Sequence, residues 1–167
     1  MEQANWYILP ISAFIPIIIG MVWYNPKVFG NKLATITGDT ITPINQKLNI
    51  GKVILLYLFS LLFSYVLTLN SVHQVAIFQL FFLDPSLAEP NSEFNSFISD
   101  FMSKFSDRHR SFGHGIVHGV EASFLYGLAF LGIPALLQGK PLKQIWVHLG
   151  FVVLCGALMA GLNCAFF

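Results

Sequence analysis

Long apolar runs at about 5–24, 52–70, 112–137 and 144–167 divide the chain. Each approaches the roughly 20 helical residues that cross a hydrocarbon core about 30 Å thick, which predicts an all-α, four-helix transmembrane bundle. Trp6-Tyr7 and Trp23-Tyr24 bracket the first run. Such rings, apolar with a polar edge, favour the headgroup level, and the helical rise between the two pairs is about 25 Å. Pro10 and Pro16 inside this run predict a kink whose freed carbonyls a neighbouring helix satisfies. A different pattern occupies the long connection 71–111, which exceeds a simple turn. There Phe94, Phe97, Ile98, Phe101, Met102 and Phe105 recur at helical spacing behind Pro90, Asn91 and Ser92. This predicts an amphipathic helix over about 92–106. Its polar face is mixed in charge, which suits a helix lying on the bundle or the membrane surface better than a sensor of anionic lipid. The run "VAIFQLFFL", 75–83, either extends the second helix or re-enters the membrane.

Composition supports a single integral membrane domain over 1–167: 55% of residues are hydrophobic and 10% charged, with a mean hydropathy of +0.67. A formal net charge of +1 and the lack of any phosphate-loop, dinucleotide or zinc-finger spacing argue against nucleic acid. The lipid bilayer is the first partner. Cys155 and Cys164 lie within one apolar run, roughly 13 Å apart along a helix, too far to bridge. The N-terminus carries Glu2 rather than a basic region, and its apolar run ends at Trp23-Tyr24-Asn25-Pro26 rather than at small residues, so it reads as a retained span. Lys27, Lys32, Lys47 and Lys52 lie between runs one and two, and Lys140 and Lys143 between runs three and four. Positive-inside then predicts N-out/C-out topology. The outer loop carries Asp84, Glu89, Glu93, Asp100 and Asp107 against Lys104, Arg108 and Arg110.

In "WYNPKVFG" the Asn25-Pro26 pair should end the first helix, Gly30 should permit a turn, and Lys27 should reach anionic headgroups. Trp23, Tyr24, Pro26, Phe29 and Gly30 form a membrane-interface motif, read as a structural anchor in preference to a partner-docking element. Together with "HRSFGHGIVHG" at His109 to Gly119 and the order of the last two spans, this motif resembles the membrane family catalogued as domain of unknown function 1761. The resemblance covers nearly the whole chain, although the long acidic outer loop departs from the family pattern. It implies a small four-helix protein of the bacterial inner membrane and carries no activity with it.

The chemistry sits in "FGHGIVHGVEASF", 112–124. With 100° per residue and His114 at zero, His118 falls at about 40° and Glu121 at about −20°, one narrow face. Gly115, Gly119, Ala122 and Tyr126 fall between about 80° and 140°, a small-residue stripe that permits close helix contact within the bundle or between copies of the chain. Helical rise places His118 roughly 9 Å and Glu121 roughly 13 Å below the outer surface, and Ser12, Ser60 and Ser64 at roughly 9 to 15 Å. An outer-half polar cluster is expected, with Asn163 slightly nearer the surface. Ionisable groups at that depth must face a partner or water, and Glu121 is a candidate for protonation.

The bland account is that these groups hydrogen-bond across helices and fix packing, with His114 near Arg108, His109 and Arg110. A second account is a divalent metal held by His114, His118 and Glu121, whose i, i+4 imidazoles and following carboxylate suit zinc. A third is a proton or solute path with Glu121 as its deepest group. Di-iron needs more glutamates than one, and bis-histidine haem fails because His148 lies some 15 Å below His118. Ser123 faces away from the histidines, so no catalytic constellation, and no enzyme, is expected. Small size, the outward apolar helix and the glycine stripe favour a structural or accessory subunit, in a homo-oligomer or with a membrane-protein partner, without a required cofactor.

Overall fold

Helices carry almost all of the backbone in the computed structural model, which describes residues 4–38, 48–81, 83–89 and 91–167. Glu2, Lys47, Phe82 and Pro90 lie outside the described residues. The elements are α1 (Ile8–Ser12), α2 (Ile15–Trp23), a π turn (Pro26–Gly30), α3 (Asn31–Thr37) and α4 (Ile50–Ser71). After these come α5 (Gln74–Leu80), a 3-10 turn (Pro85–Ala88), α6 (Glu93–Phe105), α7 (Phe112–Leu137) and α8 (Leu142–Phe166), with no strand among the described residues.

Side-chain caps set several helix starts. Asn49 accepts from Lys52 N at 3.0 Å, Ser92 from Asn95 N at 3.1 Å and Ser111 from His114 N at 3.2 Å, each satisfying an amide that the first turn leaves unpaired. Between α7 and α8 the chain reverses through Gly139, whose φ of +65° only glycine adopts without strain. Helices α4, α7 and α8 are each long and apolar enough to cross a membrane. The segment Ile8–Trp23 passes that test together with Pro26–Thr37 as a pair bent by 55°, giving up to four spans.

The first run is therefore two helices. Pro16 cannot donate to Ser12 and its ring crowds that carbonyl, so the helix breaks at Ala13 and Phe14. The break turns Phe14 N toward Ile11 O, 3.2 Å, and frees the Pro10 carbonyl, which Tyr57 Oη on α4 reaches at 3.1 Å. Residues 75–83 do not extend α4. The backbone leaves helical geometry at Val72 (φ −103°, ψ 91°) and restarts as α5. The amphipathic helix α6 packs Phe94 on Phe81 with ring centroids 4.3 Å apart and buries Ile98, while Phe97 stays exposed.

Helix α8 is central: 44% of its apolar window is buried, against 17% for α4 and 22% for α7. Its most extensive partner is α7. A Cβ added at Gly115 would meet the Ala160 carbonyl oxygen, and Cys164 Cβ at 2.6 Å. One at Gly119 would meet the Gly156 carbonyl oxygen, and Ala160 Cβ at 2.8 Å. The small-residue stripe thus closes the chain on itself. It continues through buried Ser123 and Gly127 instead of Tyr126, which is exposed, because α8 answers with its own i, i+4 series of Gly156, Ala160 and Cys164.

Candidate functional site

The histidine face of α7 meets the break between α4 and α5. Ser111 fixes the start of α7, so His114 and His118 stand one above the other in its first two turns. Val72 turns the chain out of α4 and presents His73 at the N-terminus of α5. His73 Nε2 lies 2.9 Å from His114 Nε2, and His118 Nε2 lies 3.1 Å from the same nitrogen. Each of the three residues offers a ring nitrogen within 4.8 Å of the others, with His114 and His118 half-buried and His73 exposed.

The surroundings hold this arrangement in place. Gln74 Nε2 donates to the carbonyls of Phe105 and Arg108, each at 2.9 Å, tying the segment after α6 to α5. Cys164 Sγ lies 3.4 Å from Ser71 O and 3.3 Å from His109 O, and Arg110 Nε donates to Cys164 O at 2.8 Å, so α8 anchors both approaches to the site. His109, at the uncommon φ of +63°, stacks its ring on His114 with centroids 5.0 Å apart. Glu121 Oε2 is 3.7 Å from His118 Nδ1, an ion-pair distance, and its side chain is 63% exposed. His118 thus has Nδ1 on the carboxylate side and turns Nε2 toward the cluster. Partial burial holds the His73 pKa below the ordinary imidazole value, and the charges that His118 and His109 would carry act in the same direction. A lowered folded pKa keeps His73 neutral, so its contribution to stability is present above about pH 6.5 and is lost as pH falls through the folded value.

The expected single polar cluster is two clusters. Ser12 Oγ and Ser64 Oγ are 2.7 Å apart. Asn163 Nδ2 reaches Ser64 O at 3.1 Å, Ser64 Oγ at 3.0 Å and Thr68 Oγ1 at 2.9 Å, joining α1, α4 and α8 in the core. Neither histidine nor Glu121 takes part, because α7 turns its glycines toward α8 and its histidines toward α5. Ser60 stands apart as well: it donates to its own helix at Leu56 O, 2.8 Å.

Residues His73 and Thr68 went unread in the sequence. The signal for His73 was its place just past the C-terminal end of the second run, opposite His114 at the N-terminal end of the third. Trp23 and Tyr24 of the interface motif pack inside the protein. Trp23 Nε1 donates to Val147 O at 3.2 Å, its ring stacks on Phe29 with centroids 4.4 Å apart, and Tyr24 Oη is 3.0 Å from His148 Nδ1. Asn25 ends the helix in extended geometry and accepts from Lys27 N at 3.0 Å. Gly30 is helical, at φ −60°, and is required for room: a Cβ would meet Tyr24 O at 2.6 Å and Asn25 C at 2.9 Å.

The helices and their spans define a small multi-span helical membrane protein. Residues 9–164 match the family described as "Protein of unknown function (DUF1761)", and the chain belongs to it. No curated protein and no solved structure matches the chain.

Proposed function

We propose that this protein binds a divalent transition-metal ion through His73, His114 and His118, with Glu121 orienting His118. The observation that carries this reading is the convergence of three Nε2 atoms. Metal–nitrogen bonds of about 2.0–2.1 Å at tetrahedral angles put ligand nitrogens about 3.3 Å apart. The 2.9 and 3.1 Å separations are within a few tenths of an ångström of that spacing. Hydrogen bonding accounts for the cluster less well. His114 Nε2 has either one proton or one lone pair, so it can serve only one of its two neighbours. A cation accepts all three lone pairs together, and an all-imidazole set suits zinc, with a fourth position open to water or a ligand.

The lysine-bearing loops support an orientation that places this site on the face away from the cytoplasm, in a bacterial inner membrane. Gly115 and Gly119, which made a subunit role attractive, are taken up by α8 within the chain. That leaves the metal reading with the stronger support. Detergent-purified protein loaded with zinc and desalted is expected to retain about one ion per chain, and His73→Ala to weaken binding by at least about 100-fold, since a ligand is lost rather than an outer partner. Absence of retained metal, or affinity indifferent to His73→Ala, sinks the reading.

A further inference from the structure

A cavity of about 1240 Å³ opens beside the histidine cluster, at the end of the bundle where α4 and α8 finish and α1 begins. It exceeds the roughly 300–1,000 Å³ of ordinary small-molecule pockets. Leu69, Val75, Phe78 and Met102 give it apolar walls, and Tyr7 and Tyr65 stand at its rim. Both tyrosines are exposed, as rings at the headgroup level of a bilayer are.

Two charged groups on the wall lack full partners among the described residues, beside a glutamine that is half matched. Gln74 is 7% exposed: its Nε2 donates twice, and its Oε1 lies beneath the surface without a partner among the described residues. Arg110 uses Nε on Cys164 O, leaving the two outer nitrogens of its guanidinium without a partner among the described residues. Asp107 leaves the same turn, Arg110 N to Asp107 O at 3.1 Å, and forms no ion pair among the described residues with Arg110 or any other cation. The wall therefore offers a cation and an anion that do not neutralise one another.

We infer that this cavity holds the headgroup and upper acyl chain of one aminophospholipid. The Arg110 fork matches the phosphate, while the primary ammonium donates to the Asp107 carboxylate. A choline headgroup has no N–H for Asp107, and a glycerol headgroup brings no cation for it. The site uses none of the three metal-ligand side chains, so its success or failure is separate from the metal reading.

The test is native mass spectrometry of the full chain, released from detergent after incubation with equal amounts of phosphatidylethanolamine, phosphatidylglycerol and phosphatidylcholine of matched chains. Phosphatidylethanolamine should be retained about tenfold over the other two, the discrimination expected of one charge-assisted contact. Arg110→Gln should reduce retention of phosphatidylethanolamine and phosphatidylglycerol alike. Asp107 is exposed, so Asp107→Asn should leave folding and zinc content intact while removing the preference. Equal retention of the three lipids, phosphatidylglycerol bound as well as phosphatidylethanolamine, or a preference untouched by Asp107→Asn overturns the assignment.

Discussion

The two polar clusters are built from opposite principles. In the core, Ser12, Ser64, Thr68 and Asn163 are neutral donors and acceptors that satisfy one another across three helices, leaving only Asn163 Oδ1 without a partner. At the α4–α5 break, three imidazoles direct the same atom type at one point. The first arrangement pairs donors with acceptors and leaves one amide oxygen over; the second repeats one atom type, and it is the one that we propose a cation completes. A polar residue inside a membrane bundle is thus best judged by whether its partners complement or duplicate it.

Both clusters depend on the α7–α8 packing, which Gly119→Val disrupts by driving a side chain into the Gly156 carbonyl and the Ala160 methyl. Both faces are backbone or short side chain and cannot yield, so a loss of about 3 kcal/mol or more is expected. Thermal unfolding in detergent should show it, with both clusters lost together. Lowering the pH from 7.5 to 5.5 should separate them. Protons compete for the imidazole lone pairs, so zinc affinity by equilibrium dialysis should fall at least about tenfold; the uncharged core cluster has nothing to titrate. An affinity flat across that range would contradict the histidine assignment. Glu121→Gln sharpens the picture further: zinc affinity should drop about tenfold through His118, with unfolding of the metal-free protein unchanged. Asn163→Ala should do the reverse, costing about 1 kcal/mol of stability while zinc binding stays as it was.

Much of the fold was legible in the sequence because helical period and span length are local properties. Helix α6 emerged within a residue at each end, since Ser92 and the phenylalanine spacing both mark it. His114 and His118 were legible as a pair for the same reason. His73 was not, because its nearness to them depends on how a forty-residue connection folds back, and hydropathy carries no such register. The merged polar cluster arose similarly: counting rise gives depth, but the direction in which α7 faces is set by Gly156 and Ala160 on another helix. Pro16 signalled a bend correctly, while Gly30 serves the π turn by leaving room for backbone, not by adopting a positive φ. Its close approach to Tyr24 and Asn25 exists only once the π turn forms.

Helices α7 and α8 are neighbours in sequence, joined through Gly139 and zipped along their small residues. Contacts this local need little loop closure, which makes the pair one hairpin unit of the fold. Two of the imidazoles belong to that hairpin and the third to the break between α4 and α5. A captured ion would then act as a seal on assembly, held tightly only once the two halves of the chain have found each other.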